Sequence, residues 1–358
     1  MKNARQVAFE ALCKVYYSEA YSNLTLDGLL NESGIAGRDR ALASSIAYGT
    51  LERTITLDFI ISKYLDKPIS TVNKEVLVLL RMATYQLVFM DKMPAHAVIN
   101  ETVKMTKSNY VGFASGFVNA VLRYISNYRY NDEYLDDLSI KYSCPQPLIN
   151  MWTKMYGPEL TRGILESLNT VPMPTVRVNT LKIKENEFIR ELAYSNIACE
   201  RTFLENAVDM ALVGNIADMQ EFQDGLFHIQ DLASQLAVCA LQPKENEVIF
   251  DMCSAPGGKS FTIAEMTHDN SEIYSFDIYE KRLGLIEDGA RRLGIKSIKT
   301  VKNDASVFNS ELPMADRILC DVPCSGLGII RKKPEIRYKN LDLIKDLPEL
   351  QYQILETS

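Results

Sequence analysis

Between residues 247 and 323, short apolar runs alternate with amphipathic runs, and this alternation constrains the fold more than any other feature. The strand-like segments are NEVIFD, SEIYSFD, IKTVKND and ADRILCDV, and the first two are followed by helix-like stretches. Strands that alternate with helices are typical of a parallel, doubly wound sheet, because each helix returns the chain to the same end of the sheet. We therefore predict an α/β, Rossmann-like domain over residues 226–358.

The turn after the first of these segments contains Pro256-Gly257-Gly258 and opens a predicted helix. Glycines at this place let the backbone approach a ligand, and the helix N-terminus favours an anionic group. Asp277 and Asp304 end the second and third predicted strands. An acid at the end of the second strand can hold ribose hydroxyls. The layout therefore predicts a nucleoside cofactor at the carboxyl ends of the strands.

The spacing of the glycines narrows the choice of cofactor. The turn lacks the G-x-G-x-x-G pattern of dinucleotide enzymes, which makes a nicotinamide oxidoreductase a weak alternative. Gly258-Lys259-Ser260 matches the end of a phosphate-binding loop, but Cys253 stands where its first glycine belongs, so a nucleotide hydrolase is disfavoured. The carboxylate of S-adenosylmethionine fits a helix N-terminus without needing a pyrophosphate cradle.

The rest of the chain predicts two further domains. Residues 1–138 show helical periodicity throughout, as in NKEVLVLLRMATYQLVFM, for which Asn73 is the predicted N-cap. Residues 139–225 mix helical stretches with PTVRVNTL, which alternates like a strand, and predict a small α+β module. By composition alone, the first domain is a plain helical bundle that only stabilises its neighbour.

Composition excludes several classes of protein. With 47% hydrophobic and 24% charged residues, the chain has the composition of an ordinary soluble protein. No apolar run in it is long enough for the core of a signal peptide or for a membrane span. Seven cysteines without paired spacing, together with only three histidines, indicate a reducing cytoplasm, no disulfide framework and no metal. The net charge of −7 argues against coating of nucleic acid over the whole surface but allows a local basic groove.

Two long motifs, DMCSAPGGKS and DVPCSGLGIIRKKPEIRYK, closely resemble the RNA 5-methylcytosine methyltransferases of the Sun group. The segment FHIQDLASQLAV also resembles that family. Upstream, ARQVAFEALCKVYYSEAYSNLTLDGLL and MPAHAVINETVKMTK resemble the NusB-type helical RNA-binding domain, so the resemblance covers essentially the whole chain. It implies methylation of cytosine C5 in ribosomal RNA, with the small-subunit RNA as the expected partner and S-adenosylmethionine as the cofactor.

The resemblance also assigns residues to the expected site. Asp321 and Cys324 are the expected catalytic residues, because an acid beside N3 and N4 of cytosine assists the chemistry and a cysteine takes part in it. The expected cofactor site consists of Cys253, Ser254, Ala255, Pro256, Gly257, Gly258, Lys259, Asp277, Asp304 and Asp321. The target base must be flipped out of its helix or be unpaired to reach this site.

The role of Cys324 depends on which family pattern the chain follows. A thiolate that adds to C6 turns cytosine into an enamine whose C5 can attack a methyl donor. DNA cytosine methyltransferases use the cysteine of a Pro-Cys pair for this addition. The RNA family uses a second cysteine, in a Thr-Cys motif one strand further on, and the Pro-Cys cysteine helps to release the product.

No cysteine follows Cys324 in the 358 residues. The resemblance therefore implies that this chain lacks the nucleophile and the last strands of the sheet, that ADRILCDV lies at a sheet edge, and that the chain alone is inactive. A non-catalytic RNA-binding protein that keeps a cofactor fold is the alternative.

Four basic residues follow the second motif directly, namely Arg331, Lys332, Lys333 and Arg337. We expect them to contact RNA phosphates and to position the substrate rather than read its bases. A solvated basic loop is the alternative for any such run of charges. The oligomeric state and the target nucleotide are not predicted by the sequence.

Overall fold

A computed structural model describes residues 2–18, 20–91, 93–108, 111–131, 136–168, 170, 173–211 and 216–358. The chain divides into two compact units. The helical unit comprises Met1–Val171 and Gly326–Leu341, and the sheet unit comprises Pro172–Ser325 and Asp342–Ser358. This division differs from the predicted boundaries at 138 and 225, because the helices that follow residue 138 group with the N-terminal helices.

The described part of the helical unit contains nine α-helices. They are α1 (Ala4–Ser18), α2 (Ser22–Ser33), α3 (Gly37–Glu52), α4 (Thr54–Ser62), α5 (Lys74–Val88), α6 (Ala95–Ser108), α7 (Ser115–Ile125), α8 (Leu138–Tyr142) and α9 (Gln146–Ser167). The first seven pack around one apolar core. The side chain of Asn73 accepts hydrogen bonds from the backbone N–H groups of Glu75 and Val76, which confirms the predicted N-cap of α5.

A second apolar cluster joins α8 and α9 to the segment 326–341, which returns from the sheet unit. Arg337, in this segment, is only 1% exposed. Its Nη1 donates to the carbonyl oxygens of Glu52 at 3.0 Å and Ser143 at 3.4 Å. The prediction of RNA contact for Arg337 is therefore corrected, since a guanidinium buried against backbone carbonyls stabilises the helical unit from within.

The sheet unit begins with a small antiparallel sheet, in agreement with the predicted α+β module. Its strands are β1 (Thr175–Val178), β2 (Cys199–Arg201), β3 (Ala207–Met210) and β4 (Phe227–Ile229), in the order β2-β3-β1-β4, and its helices are α10 (Glu185–Tyr194) and α11 (Gln220–Gln223). Phe188 of α10 is fully buried against this sheet, in a cluster with Val176, Val208 and Phe227.

The second sheet confirms the doubly wound prediction. Its strands are β5 (Val248–Asp251), β6 (Glu272–Asp277), β7 (Ile298–Lys302) and β8 (Arg317–Leu319), and its helices are α12 (Leu232–Leu241), α13 (Gly258–Met266), α14 (Glu280–Leu293) and α15 (Leu347–Thr357). All pairings in it are parallel, in the order β7-β6-β5-β8. Among the described strands, β8 pairs with β5 alone, so ADRILCDV lies at the edge as predicted.

Over the described ranges, no helix is both long enough and apolar enough to cross a membrane.

Candidate functional site

The strand order places a topological switch point between β5 and β8. The chain leaves β5 towards β6 on one side, whereas β8 pairs on the other side. Ligands in open α/β sheets bind at such a point, in the crevice beyond the carboxyl ends of the strands. The N–H of Met252 donates to the carbonyl oxygen of Leu319 at 3.0 Å. The loop after β5 and the loop after β8 therefore leave the sheet side by side.

The loop after β5 is held by its own backbone and by β6. Both the N–H and the hydroxyl of Ser254 donate to the carbonyl oxygen of Phe276 at 2.8 Å, and the N–H of Gly257 donates to the carbonyl oxygen of Ser254 at 2.7 Å. Gly257 has φ = 105°, and a Cβ there would lie 2.6 Å from the ring of Phe261. Only glycine suits this position, and it leaves bare backbone at the N-terminus of α13.

Asp251, the last residue of β5, lies under this loop and is fully buried. Its Oδ2 accepts a hydrogen bond from the hydroxyl of Ser260 at 2.8 Å, and Ser275 donates to Ser260 at 2.7 Å. Its Oδ1 is buried and has no hydrogen-bond partner in the described part of the chain. Burial, and to a smaller extent the charge of Asp321, raises the pKa of Asp251 to about 6, although the hydrogen bond from Ser260 and the charge of Lys259 act in the opposite direction.

Asp277 ends β6 with its side chain only 3% exposed. Its Oδ1 accepts the N–H of Tyr279 at 2.9 Å, and its Oδ2 lies 3.0 Å from Nη1 of Arg282. Arg282 also donates through Nη2 to the carbonyl oxygen of Ala255 at 2.8 Å. Arg282 thus ties the acid at the end of β6 to the loop after β5.

Asp321 and Cys324 lie on the loop after β8. Asp321 is half-exposed and forms an ion pair with Lys259 from the first turn of α13. Cys324 is exposed. The side-chain amide of Gln351, in α15, donates to the carbonyl oxygen of Pro323 at 2.8 Å and fixes the loop between these two residues. The ion pair therefore joins the two loops across the switch point.

Cys253 lies within the field of the same acids. Burial raises the pKa of the Cys253 thiol to about 11, and the charges of Asp251, Asp277 and Asp321 add to the effect. A thiol with this pKa stays protonated at neutral pH, which suits a lining residue and not a nucleophile. Because the loop after β5 is hydrogen-bonded to both Phe276 in β6 and Leu319 in β8, the carboxylates that end β5 and β6 lie near the one that follows β8.

Asp304 is the predicted site residue that stands furthest from the switch point, because it follows β7 at the other edge of the sheet. Its Oδ1 accepts hydrogen bonds from the hydroxyl and the N–H of Ser306, at 2.6 and 3.0 Å. These bonds lower the pKa of Asp304. The neighbouring Asn303 donates its N–H to the carbonyl oxygen of Asp277 at 3.2 Å, so Asp304 begins its loop next to the end of β6.

The remaining basic residues predicted to contact RNA belong to the helical unit. Arg331 donates through Nη2 to the hydroxyl oxygen of Thr170 at 2.7 Å. The ammonium of Lys333 lies 5.0 Å from the ring centre of Tyr21. Lys332 is exposed. Unlike Arg337, these three side chains remain at or near the surface.

Sequence reasoning missed three residues of the site. Asp251 lies at the carboxyl end of a strand, where ligands bind in open α/β sheets, so its position in the sequence could have identified it. Gln230 accepts the hydroxyl of Thr262, in α13, at 2.7 Å and braces that helix from the segment FHIQDLASQLAV. Arg282 carried no local signal, because an arginine in the first turn of α14 has many possible partners.

Three models of known protein families match three successive parts of the chain. A model described as the NusB family matches residues 2–127, and one described as 16S rRNA methyltransferase RsmB/F matches residues 238–358. Between them, residues 144–215 match a ferredoxin-like domain of RsmF/B-like methyltransferases.

Individual proteins match over nearly the full chain. A probable ribosomal RNA small subunit methyltransferase B from Bacillus subtilis is 36% identical over 364 residues, which cover 99% of this chain and 80% of that protein. The crystal structure of PH0851 is similar in fold, with a TM-score of 0.83 and 24% identity over 99% of this chain and 82% of that one. The structure of NSun6 from Pyrococcus horikoshii with SFG, a S-adenosylmethionine analogue, has a TM-score of 0.54 and 22% identity over 60% of this chain and 79% of that one.

The raised pKa of Asp251 predicts a pH dependence of stability. Between pH 3.8 and about 6 the folded protein keeps a proton that the unfolded chain releases, so this group lowers the free energy of unfolding as pH rises. Asp251→Asn removes the buried charge. We expect the variant to gain about 3 kcal/mol relative to the parent between pH 4 and pH 7, measured by urea unfolding with far-ultraviolet circular dichroism.

The matched control is Asp304→Asn, whose parent carboxyl has a lowered pKa. A lowered pKa contributes stability at neutral pH that is lost in acid. Relative to the parent, the free energy of unfolding of this variant should therefore fall, not rise, between pH 4 and pH 7. A difference between Asp251→Asn and the parent that does not change with pH would contradict a buried, charge-destabilised Asp251.

Proposed function

Because the chain belongs to the ribosomal RNA small subunit methyltransferase B family, we propose that it transfers a methyl group from S-adenosylmethionine to carbon C5 of a cytosine in small-subunit ribosomal RNA. One observation carries the proposal. The glycine loop, the buried acid of β6 and the Pro-Cys loop converge at the switch point of a parallel sheet. The cytoplasm, where ribosomes are assembled, is the expected compartment.

The residues at the switch point fit S-adenosylmethionine. The loop leads into the N-terminus of α13, which favours the carboxylate of the cofactor, and the unpartnered Oδ1 of Asp251 lies under the same loop. The converging carboxylates complement a cationic sulfonium. Asp277 accepts a hydrogen bond from the N–H of Tyr279 and pairs with Arg282, and its remaining lone pairs can accept the ribose hydroxyls. Asp304 is assigned to the adenine amine. When bound, the cofactor supplies the methyl group that C5 accepts.

Asp321 and Cys324 are assigned to the cytosine. Addition of a thiolate to C6 moves the electron pair of the C5–C6 double bond towards N3 and makes C5 nucleophilic. Asp321, whose carboxylate is paired with Lys259, is assigned to the polar edge of the base. It can accept a hydrogen bond from the exocyclic amine of cytosine and share the proton at N3. Release requires a base that takes the C5 proton, so that the C5–H electron pair re-forms the C5–C6 double bond and the C6–S bond breaks to expel the thiolate. Following the pattern of the RNA family, we assign Cys324 to this release step.

Arg331, Lys332 and Lys333 are assigned to RNA. Each carries a positive charge at or near the surface, directly after the catalytic loop in the sequence. Contacts to phosphate of this kind fix the register of an RNA without reading its sequence. Arg337 has no part in this role, because it is buried.

The first test concerns the cofactor. Asp277→Asn replaces the charged acceptor by a neutral one of the same shape, so we expect the affinity for S-adenosylmethionine to fall by about 10- to 150-fold, the scale of a charged hydrogen bond. Isothermal titration calorimetry measures it. Asp288→Asn, an exposed acid on α14, is the matched control and should bind as the parent does. Unchanged affinity in Asp277→Asn would remove this residue from the cofactor site.

The second test concerns Cys324. Cys324→Ala removes the thiol assigned to product release, so we expect the enzyme to stall as a covalent complex with small-subunit RNA. The complex is visible as a band that resists denaturing electrophoresis and appears only with S-adenosylmethionine present. Cys239→Ala, on α12, should give no such band.

Absence of the adduct in Cys324→Ala, together with loss of methylation, would make Cys324 the nucleophile instead. Absence of methylation by the parent protein, with RNA binding intact, would favour the non-catalytic RNA-binding alternative.

A further inference from the structure

The helical unit contains a pocket that the proposed reaction does not use. Its volume is about 340 Å³, within the range of small-molecule sites. One wall is α9 and the other is the segment that follows the Pro-Cys loop. The residues that line it include Trp152, Tyr156, Leu160, Ile164, Leu327 and Arg331.

The wall formed by α9 is apolar and partly open to solvent. Trp152 is 6% exposed and forms the inner part of the wall, whereas Tyr156 and Leu160 are 49% and 56% exposed at its rim. Between the two rim residues, Gly157 has φ = 80° and interrupts the helix. Large apolar side chains left exposed around a concavity mark a binding surface.

The opposite wall supplies one cationic group. Arg331 donates to Thr170 through Nη2, which fixes the position of its guanidinium. Its Nε is buried and has no hydrogen-bond partner in the described part of the chain. A buried donor without a protein partner is rare, and a water molecule or a bound ligand can supply the missing acceptor. The pocket therefore combines aromatic faces with an unpaired planar donor.

We propose that this pocket binds an unpaired base of the RNA substrate, close in sequence to the target cytosine. Proteins recognise single-stranded RNA by stacking its bases on aromatic rings and guanidinium planes, and by hydrogen bonds to base edges. Tyr156 and Trp152 provide the rings, and Arg331 provides the guanidinium. The inference rests on the proposed function, because it takes RNA as the substrate.

Two features favour RNA over an apolar segment of another protein. Lys332 and Lys333 follow Arg331 directly in the sequence, so this segment offers positive charge to an occupant that carries phosphates. Leu327 follows Cys324 by three residues, and three residues of chain span at most about 11 Å. In the sequence, this wall therefore begins directly after the loop that carries the thiol assigned to the cytosine.

The chain offers a direct probe, because Trp152 is its only tryptophan. Its fluorescence reports on the pocket and on no other place in the protein. We expect single-stranded oligoadenylate to quench this fluorescence by stacking. Duplex RNA of equal length, whose bases are paired, and inorganic polyphosphate, which has charge but no bases, should leave it unchanged.

Variants assign the quenching to named side chains. Tyr156→Ala should weaken the oligoadenylate affinity by about fivefold or more, the lower scale of one stacking contact, and Tyr156→Phe should restore it. Arg331→Ala should weaken it as well. Tyr194→Ala removes an exposed ring of the same type from α10, in the sheet unit, and should change nothing.

Quenching by polyphosphate equal to that by oligoadenylate would overturn the proposal, since charge alone would then explain it. Absence of quenching by any RNA would also overturn it, and would leave the pocket for an apolar protein segment. Both outcomes differ from failure of the proposed function. That failure shows as lost S-adenosylmethionine affinity or absent cytosine methylation, whatever the tryptophan signal.

Discussion

The parallel pairing of β5 with β8 is the constraint on which the site depends. Its register aligns Ile249 with Arg317 and Asp251 with Leu319. One end is fixed by Asp316, whose Oδ2 accepts the N–H of Val248 at 2.8 Å. Because the two strands run in the same direction from a shared register, the glycine loop and the Pro-Cys loop leave the sheet at one level. A shift of register would separate the partners of the Lys259–Asp321 ion pair.

The electrostatics of the site follow from this geometry. Parallel strands gather the acids at their ends, and Asp251 is deep enough that its charge opposes folding. Ser260 offsets part of that cost by donating a hydrogen bond to Asp251, and Arg282 forms an ion pair with Asp277. A concentration of carboxylates that the protein only partly satisfies is suited to a cationic ligand, and S-adenosylmethionine carries a sulfonium. Burial, together with the same acids, keeps the thiol of Cys253 protonated, so the exposed Cys324 is the cysteine of this region that is open to a substrate.

The sequence allowed much of this arrangement to be predicted, because it is encoded locally. Alternating apolar segments gave the parallel sheet, and Asn73 was identified as an N-cap from its neighbours alone. The position of ADRILCDV at the sheet edge followed from the order of motifs. These features depend on periodicity and on contacts a few residues apart.

Other features could not be predicted, because they depend on distant parts of the chain. Arg337 stands in a run of basic residues, yet its guanidinium lies against the carbonyl of Glu52, far away in the sequence. Charge patterns do not reveal such burial. The same applies to Arg282, which could have faced solvent, and to the grouping of α9 with the N-terminal helices. The pocket between α9 and residues 327–331 exists only after both segments have folded together.

The central claim is that the protein methylates cytosine C5 in small-subunit ribosomal RNA. Bisulfite sequencing of that RNA, from a strain that lacks the gene and from the same strain with the gene restored, tests it most directly. We predict that a 5-methylcytosine disappears in the first strain and returns in the second. A map of 5-methylcytosine that is identical in both strains would contradict the account.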